Sequence, residues 1–446
     1  MGNRKAIRTE YLIVGNSAGG IGAAETIREV DKKHSITIVS DEPYPAYSRP
    51  LISEYLACER TVEEMLFRPA DFYSRNNIDL LLGKTVKRLE LHQRVAQLEN
   101  GRKITWNKLL LATGGIPIVP KMEGANKKGI FTFLTLEDAK AIKEFLETAS
   151  RAVVIGGGLI GVSASEALTK RGVRVTIVEM KDRVLNTILD EQASSIAEEM
   201  LMKAGVRVVV NHTVAEVIGE TSAEGVALDS GERIPCDLVI IAIGVLPRTE
   251  LVLDTEIKVN RGIVVDQYMA TSYPDVYSCG DVAEAYDFIY GANRLTPIWP
   301  NAYIGGRVAG YNMAGAKAEY FGGTAMNSLN YFGLDITTAG IVVPPDSSNY
   351  EIITKHKDGI YQKVMLKDGL VVGMVFVRDI EKSGMIFGLM RDRADVGSFK
   401  QALLADDFGL AYLPRELWQE RLGVVPLESA FVSSTPGRVE EPIAGE

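Results

Sequence analysis

The chain is poor in the residues that build redox disulfides and metal centres. Its 446 residues include three cysteines, Cys58, Cys236 and Cys279, far apart and without a Cys-x-x-Cys pair. That usage argues against a dithiol redox motif and against an iron–sulfur cluster of the chain's own. The four histidines show no ligand-like spacing, which argues against a structural zinc. No apolar run approaches the ~20 residues that a membrane helix needs, and CDLVIIAIGVL reads as a buried strand. The first residues, MGNRKAIRTE, hold no apolar core of a secretory signal. Ala6 stands where a myristoylation motif after Gly2 needs Ser or Thr, so the expected location is cytoplasmic. Basic blocks are missing as well. The net charge is −9, which argues against a nucleic-acid partner.

What the chain has is glycine in two ordered places, each at the end of an expected strand: YLIVGNSAGG at 11–20 and AVVIGGGLIG at 152–161. In the first, Gly15 permits a tight turn off the strand. Ser17 is small enough for backbone to approach a pyrophosphate, and Gly20 lets the next helix pack close to the sheet. The free N–H groups and positive dipole end of that helix favour phosphate. The second loop is intact, with Gly156, Gly158 and Gly161 in the same roles. Glu179, 18 positions after Gly161 in VTIVEM, stands where an acidic side chain would bind a ribose 2′-hydroxyl. A carboxylate there repels a 2′-phosphate, so NADH is favoured over NADPH, although Lys181 and Arg183 come soon after it. A solvated strand end is the plain alternative for Glu179. Two loops imply two dinucleotides and a hydride passed between them.

The length suits two or three domains. The hydrophobic fraction of 46% and charged fraction of 24% are those of a soluble globular protein. Strand, glycine turn, helix and strand succeed one another from Tyr11 to Ser40 and again from Arg151 to Glu179. Clusters of Gly and Pro in LATGGIPIVPKMEG and near IGVLPRTEL mark two crossings between domains. TLEDAKAIKEFLETA carries a Thr cap and helical periodicity. From about Gly322 the character changes. YQKVMLKDGLVVGMVFV predicts two strands around Lys-Asp-Gly, and SGMIFGLMRDRADVGSFKQALL predicts a helix. The last stretch, LESAFVSSTPGRVEEPIAGE, reads as a loose polar tail.

These motifs, with LATGG and SCGD, resemble the FAD-dependent pyridine-nucleotide oxidoreductases built like glutathione reductase, over nearly the whole chain. The resemblance implies an α/β fold with two Rossmann-like units and a small C-terminal α+β domain. An FAD domain (1–118 and 246–321) would be split by an inserted NAD(P) domain (119–245). The C-terminal domain would cover 322–412, and a terminal helix and tail 413–446. The first loop would hold FAD and the second NAD(H), with NADP(H) less favoured. Ala112, Thr113 and Gly114 would lie near the flavin, Asp281 would bond the ribitol hydroxyls, and the backbone at Val86 would touch adenine. Asp41, Ile160 and Gly244 join the implied cofactor contacts.

The segment just after the first unit sets the branch. Disulfide and oxygen reductases of this fold carry a reactive cysteine there, whereas this chain reads DEPYPAYSRPLISEYLA. Arg49 and Pro50 stand in the thiol's place, and Cys58 comes several residues too late. YSRP, and Trp299 and Asn301 in IWPNAYIGG, are similar to rubredoxin reductases, ferredoxin reductases and the flavin part of nitrite reductases, where these residues lie beside FAD. NSLNYFGLDITTAG and the segments after it resemble the small C-terminal domain of the same group. Three positions depart from it. A usual Lys is Glu54, a usual Glu is Ser163, and a usual Gln is Gly305; the first two form a pair near flavin N5 in relatives.

The implied activity is hydride transfer between nicotinamide C4 and flavin N5, with electrons exchanged with rubredoxin, ferredoxin or an iron–sulfur subunit, in either direction. A small-molecule acceptor (oxygen, or nitrite through a second subunit) and a flavin-holding sensor subunit stay open, as does a homodimer. Cys279 and Cys58 read as packed core thiols. Arg391, Arg393 and Lys400 read as a solvated face or a basic spot for an acidic carrier. Leu413, Leu417 and Trp418 read as a cap on the chain's own core or a partner contact.

Overall fold

The protein, described here from a computed structural model over residues 7–414, is built on three main sheets. The first holds β1 (Ile7–Val14), β2 (Ile36–Val39), β3 (Ile78–Leu81), β4 (Val86–Glu90), β5 (Val95–Leu98) and β6 (Lys103–Leu111) in the order β3-β2-β1-β6-β5-β4. The short strand Val276–Ser278 returns from far along the chain to pair in parallel with the carboxyl end of β6. Tyr11 to Val14 are buried, as a strand covered on both faces demands. Register aligns Val14 with Val39 and with Leu111, and Leu111 with Ser278. Four parallel strands thus end at one level.

The second sheet repeats the plan. β7 (Ile130–Thr132), β8 (Arg151–Ile155), β9 (Arg174–Val178), β10 (Arg207–Val209) and β11 (Leu238–Ile241) are all parallel, in the order β10-β9-β8-β11-β7. Ile155 aligns with Val178 and Ile241. Helices α1 (Ala18–Val30) and α3 (Leu159–Lys170) come directly after the two glycine turns. α2 (Leu136–Phe145) leads into the second unit, and Thr135 caps it in a reciprocal box with Asp138. α4 (Glu191–Lys203) packs into the same core as α2 and α3. The Gly/Pro crossings, Gly115–Pro117 and Val245–Pro247, pair antiparallel as a double strap between the units.

After the strap come the hairpin β12 (Ala283–Asp287) and β13 (Ala292–Arg294), then α5 (Trp299–Met313). A five-stranded antiparallel sheet closes the described chain: β14 (Met326–Tyr331), β15 (Leu334–Gly340), β16 (Glu351–Lys357), β17 (Ile360–Lys367) and β18 (Leu370–Val377). Asp368 and Gly369 both have positive φ (51° and 76°), the two-residue turn that Lys-Asp-Gly predicts. Phe332–Gly333 and Asp358–Gly359 make the same turn in the other hairpins.

Helix α6 (Ser383–Arg391) is shorter than the expected run to Leu404. Arg393 takes a left-handed φ of 50° just past its end and stops it. Leu413 is buried in the C-terminal core, while Leu417, Trp418 and the polar tail lie outside the described residues. Among the described residues no helix is long and apolar enough to cross a membrane.

Candidate functional site

The two glycine turns are geometric copies. Gly15 has φ 121°, and a Cβ on it would lie 2.1 Å from the carbonyl oxygen of Ala112. Gly156 has φ 104°, and its Cβ would lie 2.4 Å from the carbonyl oxygen of Ala242. A Cβ on Gly20 would meet the carbonyl oxygen of Gly15 at 2.0 Å, and one on Gly161 that of Gly156 at 1.9 Å. Glycine at these four positions is therefore a steric requirement. The middle positions differ. Ser17 and Gly158 are the extended N-caps of α1 and α3, no protein atom lies within 4 Å of a Cβ on Gly158, and neither helix has a side-chain cap or an acidic residue in its first turn. Each helix therefore offers uncapped N–H groups at the carboxyl end of a parallel sheet, the place and charge that suit a pyrophosphate.

The copy extends to the neighbouring strand. Gly15 N–H donates to Val39 and Gly156 N–H to Val178, so Ser40 occupies in the first unit the place of Glu179 in the second. Glu179 is 8% exposed, which removes the solvated-strand-end reading. Its Oε2 accepts the N–H of Gly157 at 2.6 Å and its Oε1 that of Lys181 at 2.8 Å, leaving lone pairs on both oxygens. Asp41 lies one residue beyond Ser40, exposed and paired with Arg248 at 2.5 Å. Arg248 joins the strap to the first unit twice more: its N–H donates to Gly114, and its carbonyl accepts from Thr113 Oγ1 at 2.9 Å. Gly244, with φ 119°, opens the returning strap, and Val86 is buried at the start of β4.

A second wall stands beside α1. A Cβ on Gly306 would meet Gly19 O at 2.0 Å, and one on Gly310 would meet Thr26 Oγ1 at 2.1 Å, so glycine lets α5 lie directly on α1. The start of α5, at Trp299, also lacks a side-chain cap and an acidic residue. Trp299 packs edge-on against Phe67 with centroids 5.0 Å apart. Asn301 donates to Thr324 O at 3.2 Å, which fastens the first turn of α5 to the run into the C-terminal sheet. Asp281 is only half-buried by area, yet it lies among enough protein that desolvation raises its carboxyl pKa, opposed by Arg49. No described group donates a hydrogen bond to it. Arg49 stands just after the first unit, beside Pro50, and pairs with Glu42. Burial opposes its charge, but Tyr47, Glu42 and Asp281 outweigh that and raise its pKa.

Comparison with known proteins fits this geometry. The family model for pyridine nucleotide-disulphide oxidoreductases matches residues 9–318. The chain belongs to that family. The model of the rubredoxin NAD⁺ reductase C-terminal domain matches residues 326–394. The chain is 30% identical over 410 residues to the NADH-dependent phenylglyoxylate dehydrogenase subunit epsilon of Aromatoleum evansii, covering 91% of this chain and 96% of that one. It is 29% identical over 391 residues to nitrite reductase [NAD(P)H] of Bacillus subtilis, with 87% of this chain covered, and spans about half (48%) of that relative's length. A crystal structure of a covalent putidaredoxin reductase–putidaredoxin complex superposes with a TM-score of 0.79 at 26% identity, covering 87% of this chain and 94% of that one.

Within this pyridine nucleotide-disulphide oxidoreductase fold, the three departures have structural explanations. Glu54 is turned to the surface and pairs with Arg60. Ser163 stands half-buried in α3 and brings no charge to the site. Gly305 is closely packed, since its Cβ would meet Met269 Cε at 3.1 Å and Cys279 Cβ at 3.4 Å, so a side chain there would require Met269 to give way. Cys279 is a fully buried packing thiol whose pKa burial pushes up to about 12. Cys58 corrects the expectation of a core thiol. It is exposed, has a left-handed φ of 63°, and lies 3.1 Å from Arg171 Nη1. Sequence reading passed over Glu42, Tyr47, Arg248 and Tyr331. Tyr331, from the C-terminal sheet, donates to Leu159 O at 3.2 Å, next to Ile160 at the start of α3. No spacing rule marks any of the four: Tyr47 and Tyr331 reach from one unit to another, and Glu42 and Arg248 act through tertiary contacts that no motif encodes.

Proposed function

We propose that the first unit holds FAD and the second NAD(H), and that the chain moves a hydride between them and exchanges electrons with a protein carrier such as rubredoxin, ferredoxin or an iron–sulfur subunit. The observation that carries this reading is the pair of equivalent, uncapped glycine turns at the ends of two sets of parallel strands in one chain. Gly15, Ser17 and Gly20 would take the FAD pyrophosphate, with Asp41 and the backbone at Val86 toward its adenosine. Arg49, Pro50, Ala112, Thr113, Gly114, Asp281 and Trp299 would surround its ribityl and ring portions. Gly156, Gly158, Ile160, Gly161, Glu179 and Gly244 would hold NAD(H). Asp281 suits a hydroxyl-rich ligand, because its carboxylate lacks protein donors in a partly desolvated place. Bound FAD supplies a two-electron acceptor that can release electrons singly. The chain's own contribution is alignment, a positive α5 terminus, and the Arg49 charge.

A protein carrier is favoured by two features. Arg49 and Pro50 replace a thiol relay, and Cys58 belongs to a separate surface turn. The hairpin β12–β13, which links Asp281 to α5, presents Tyr286 (40% exposed) and Tyr290 (45%), with Arg294 stacked 3.7 Å over the Tyr290 ring. Arg393 donates to Phe288 O at 3.2 Å beside them, whereas Lys400 pairs with Glu351 and Arg391 with Asp392. Aromatic and arginine side chains of this kind are common anchors of protein interfaces. A cytoplasmic setting and either direction of electron flow accord with the reading.

The test is turnover with NADH in the presence of rubredoxin, ferredoxin or oxygen. Faster reoxidation by a carrier than by oxygen supports the proposal; rapid reoxidation by oxygen with neither carrier active rejects the protein-acceptor part. A second expected result concerns the nucleotide. Glu179→Ala should weaken NADH binding about 10- to 100-fold, the range for losing hydrogen bonds to a charged group. An unchanged dissociation constant would refute the ribose assignment.

A further inference from the structure

The loop after β2 carries a carboxylate to which the cofactor assignment gives no role. Glu42 is largely buried, with 15% of its side chain exposed, and its two oxygens divide their work. Oε1 pairs with Arg49 Nη2, and Oε2 accepts the hydroxyl proton of Tyr47 at 2.5 Å. Tyr47 is 5% exposed, and its hydroxyl oxygen accepts the N–H of Leu136 at 2.9 Å. Arg49 Nη1 donates to Leu134 O at 3.2 Å. Leu134 and Leu136 flank Thr135, the cap of α2, where the chain enters the second unit. Asp281 also lies within electrostatic range of Arg49.

We propose that Glu42 is a positioning residue, which fixes the Arg49 guanidinium beside the flavin and ties it, through Tyr47, to the placement of the nicotinamide-binding unit. This rests on the assignment of FAD to the first unit and NAD(H) to the second. An unrestrained arginine in a cleft samples many rotamers. Here a charged hydrogen bond on one arm and a backbone carbonyl on the other define its plane. Glu42 cannot swing away without releasing a buried tyrosine hydroxyl. Both anchors come from one turn at the head of α2, so any displacement of that turn moves Arg49 as well. An ordinary surface ion pair contributes little because both side chains are free to move; this one is held at both ends, by Tyr47 on the carboxylate and by Leu134 O on the guanidinium.

The experiment tracks anaerobic reduction by NADH of the FAD-loaded protein by stopped flow, with the flavin midpoint potential measured in parallel. It compares the wild type, Glu42→Gln, Tyr47→Phe, Arg49→Met and the combination of Glu42→Gln with Arg49→Met. Glu42→Gln should slow the limiting rate about tenfold, as misplacement of an aligning group does, and shift the potential, with NADH affinity within about twofold of wild type. Tyr47→Phe, which removes one hydroxyl, should slow it less and in the same sense; it serves alone if Glu42→Gln fails to take up FAD. With Arg49 already Met, Glu42→Gln should change rate and potential by no more than about twofold. Equal effects of Glu42→Gln in both backgrounds, a loss of FAD affinity alone, or no change in rate would overturn the proposal. Failure of the wild-type flavin to be reduced by NADH would instead overturn the cofactor assignment on which it rests.

Discussion

Replacing Gly158 with valine should abolish reduction by NADH at ordinary concentrations while leaving the fold and the FAD content unchanged. Gly158 has φ −78° and ψ −172°, an extended conformation open to any residue, and no protein atom lies within 4 Å of an added Cβ. The new Cβ therefore meets no protein atom beyond its own chain neighbours. It projects beside the uncapped start of α3, where a pyrophosphate must approach the backbone closely. The expected rise in the NADH dissociation constant is about a hundredfold, equivalent to about 3 kcal/mol. Gly156→Ala is the contrasting substitution. Its Cβ would lie 2.4 Å from Ala242 O at φ 104°, so it should lower the melting temperature as well as impair binding. A Gly158→Val protein that binds NADH normally would remove the second loop from the site.

Asp190→Ala should be the most damaging single change to stability outside the glycine turns. Asp190 accepts the N–H of Ala193 at 3.1 Å as the cap of α4. It also accepts Tyr361 Oη and Lys363 Nζ, each at 2.7 Å, from the C-terminal sheet. Lys363 is 6% exposed, and its other acceptor among the described residues is Val342 O at 2.9 Å. Without Asp190 a buried ammonium loses its counter-charge, which costs about 3–5 kcal/mol, and the lost cap adds about 1 kcal/mol. Thermal or denaturant unfolding should show the loss. Lys363→Met alone should be milder, because Asp190 keeps its cap and its tyrosine. Adding Lys363→Met to Asp190→Ala should restore part of the stability; additive losses would mean that the pair is not coupled.

The two substitutions mark the boundary of what was legible in the chain. Gly15, Gly20, Gly156 and Gly161 could be read in advance because a turn against a carbonyl admits no Cβ, and that constraint is written in residue type. The Thr135 cap and the Asp368–Gly369 turn were legible for similar local reasons. The bridge from Asp190 to Lys363 spans 173 residues and carries no local pattern. Glu42 was equally silent, since no motif marks its bonds to Tyr47 and Arg49, and the contacts of those two with Leu136 and Leu134 form only when the second unit docks. Ser40 shows a subtler case. Strand register alone places it opposite Glu179 in the internal copy, whereas the eye is drawn to the charged Asp41 beside it. Helix α6 stops early because Arg393 adopts a left-handed turn, a conformation that arginine does not advertise.

The central claim is that the two glycine turns place a nicotinamide where it can reduce a flavin in the same chain. Anaerobic mixing of the FAD-loaded protein with NADH, with the flavin's visible absorbance recorded in a stopped-flow instrument, tests it most directly. The account predicts rapid bleaching by NADH, slower or weaker bleaching by NADPH because the proposed place of Glu179 is against the ribose 2′-position, and none by NADH in Gly158→Val. An absorbance that neither nicotinamide changes would contradict it.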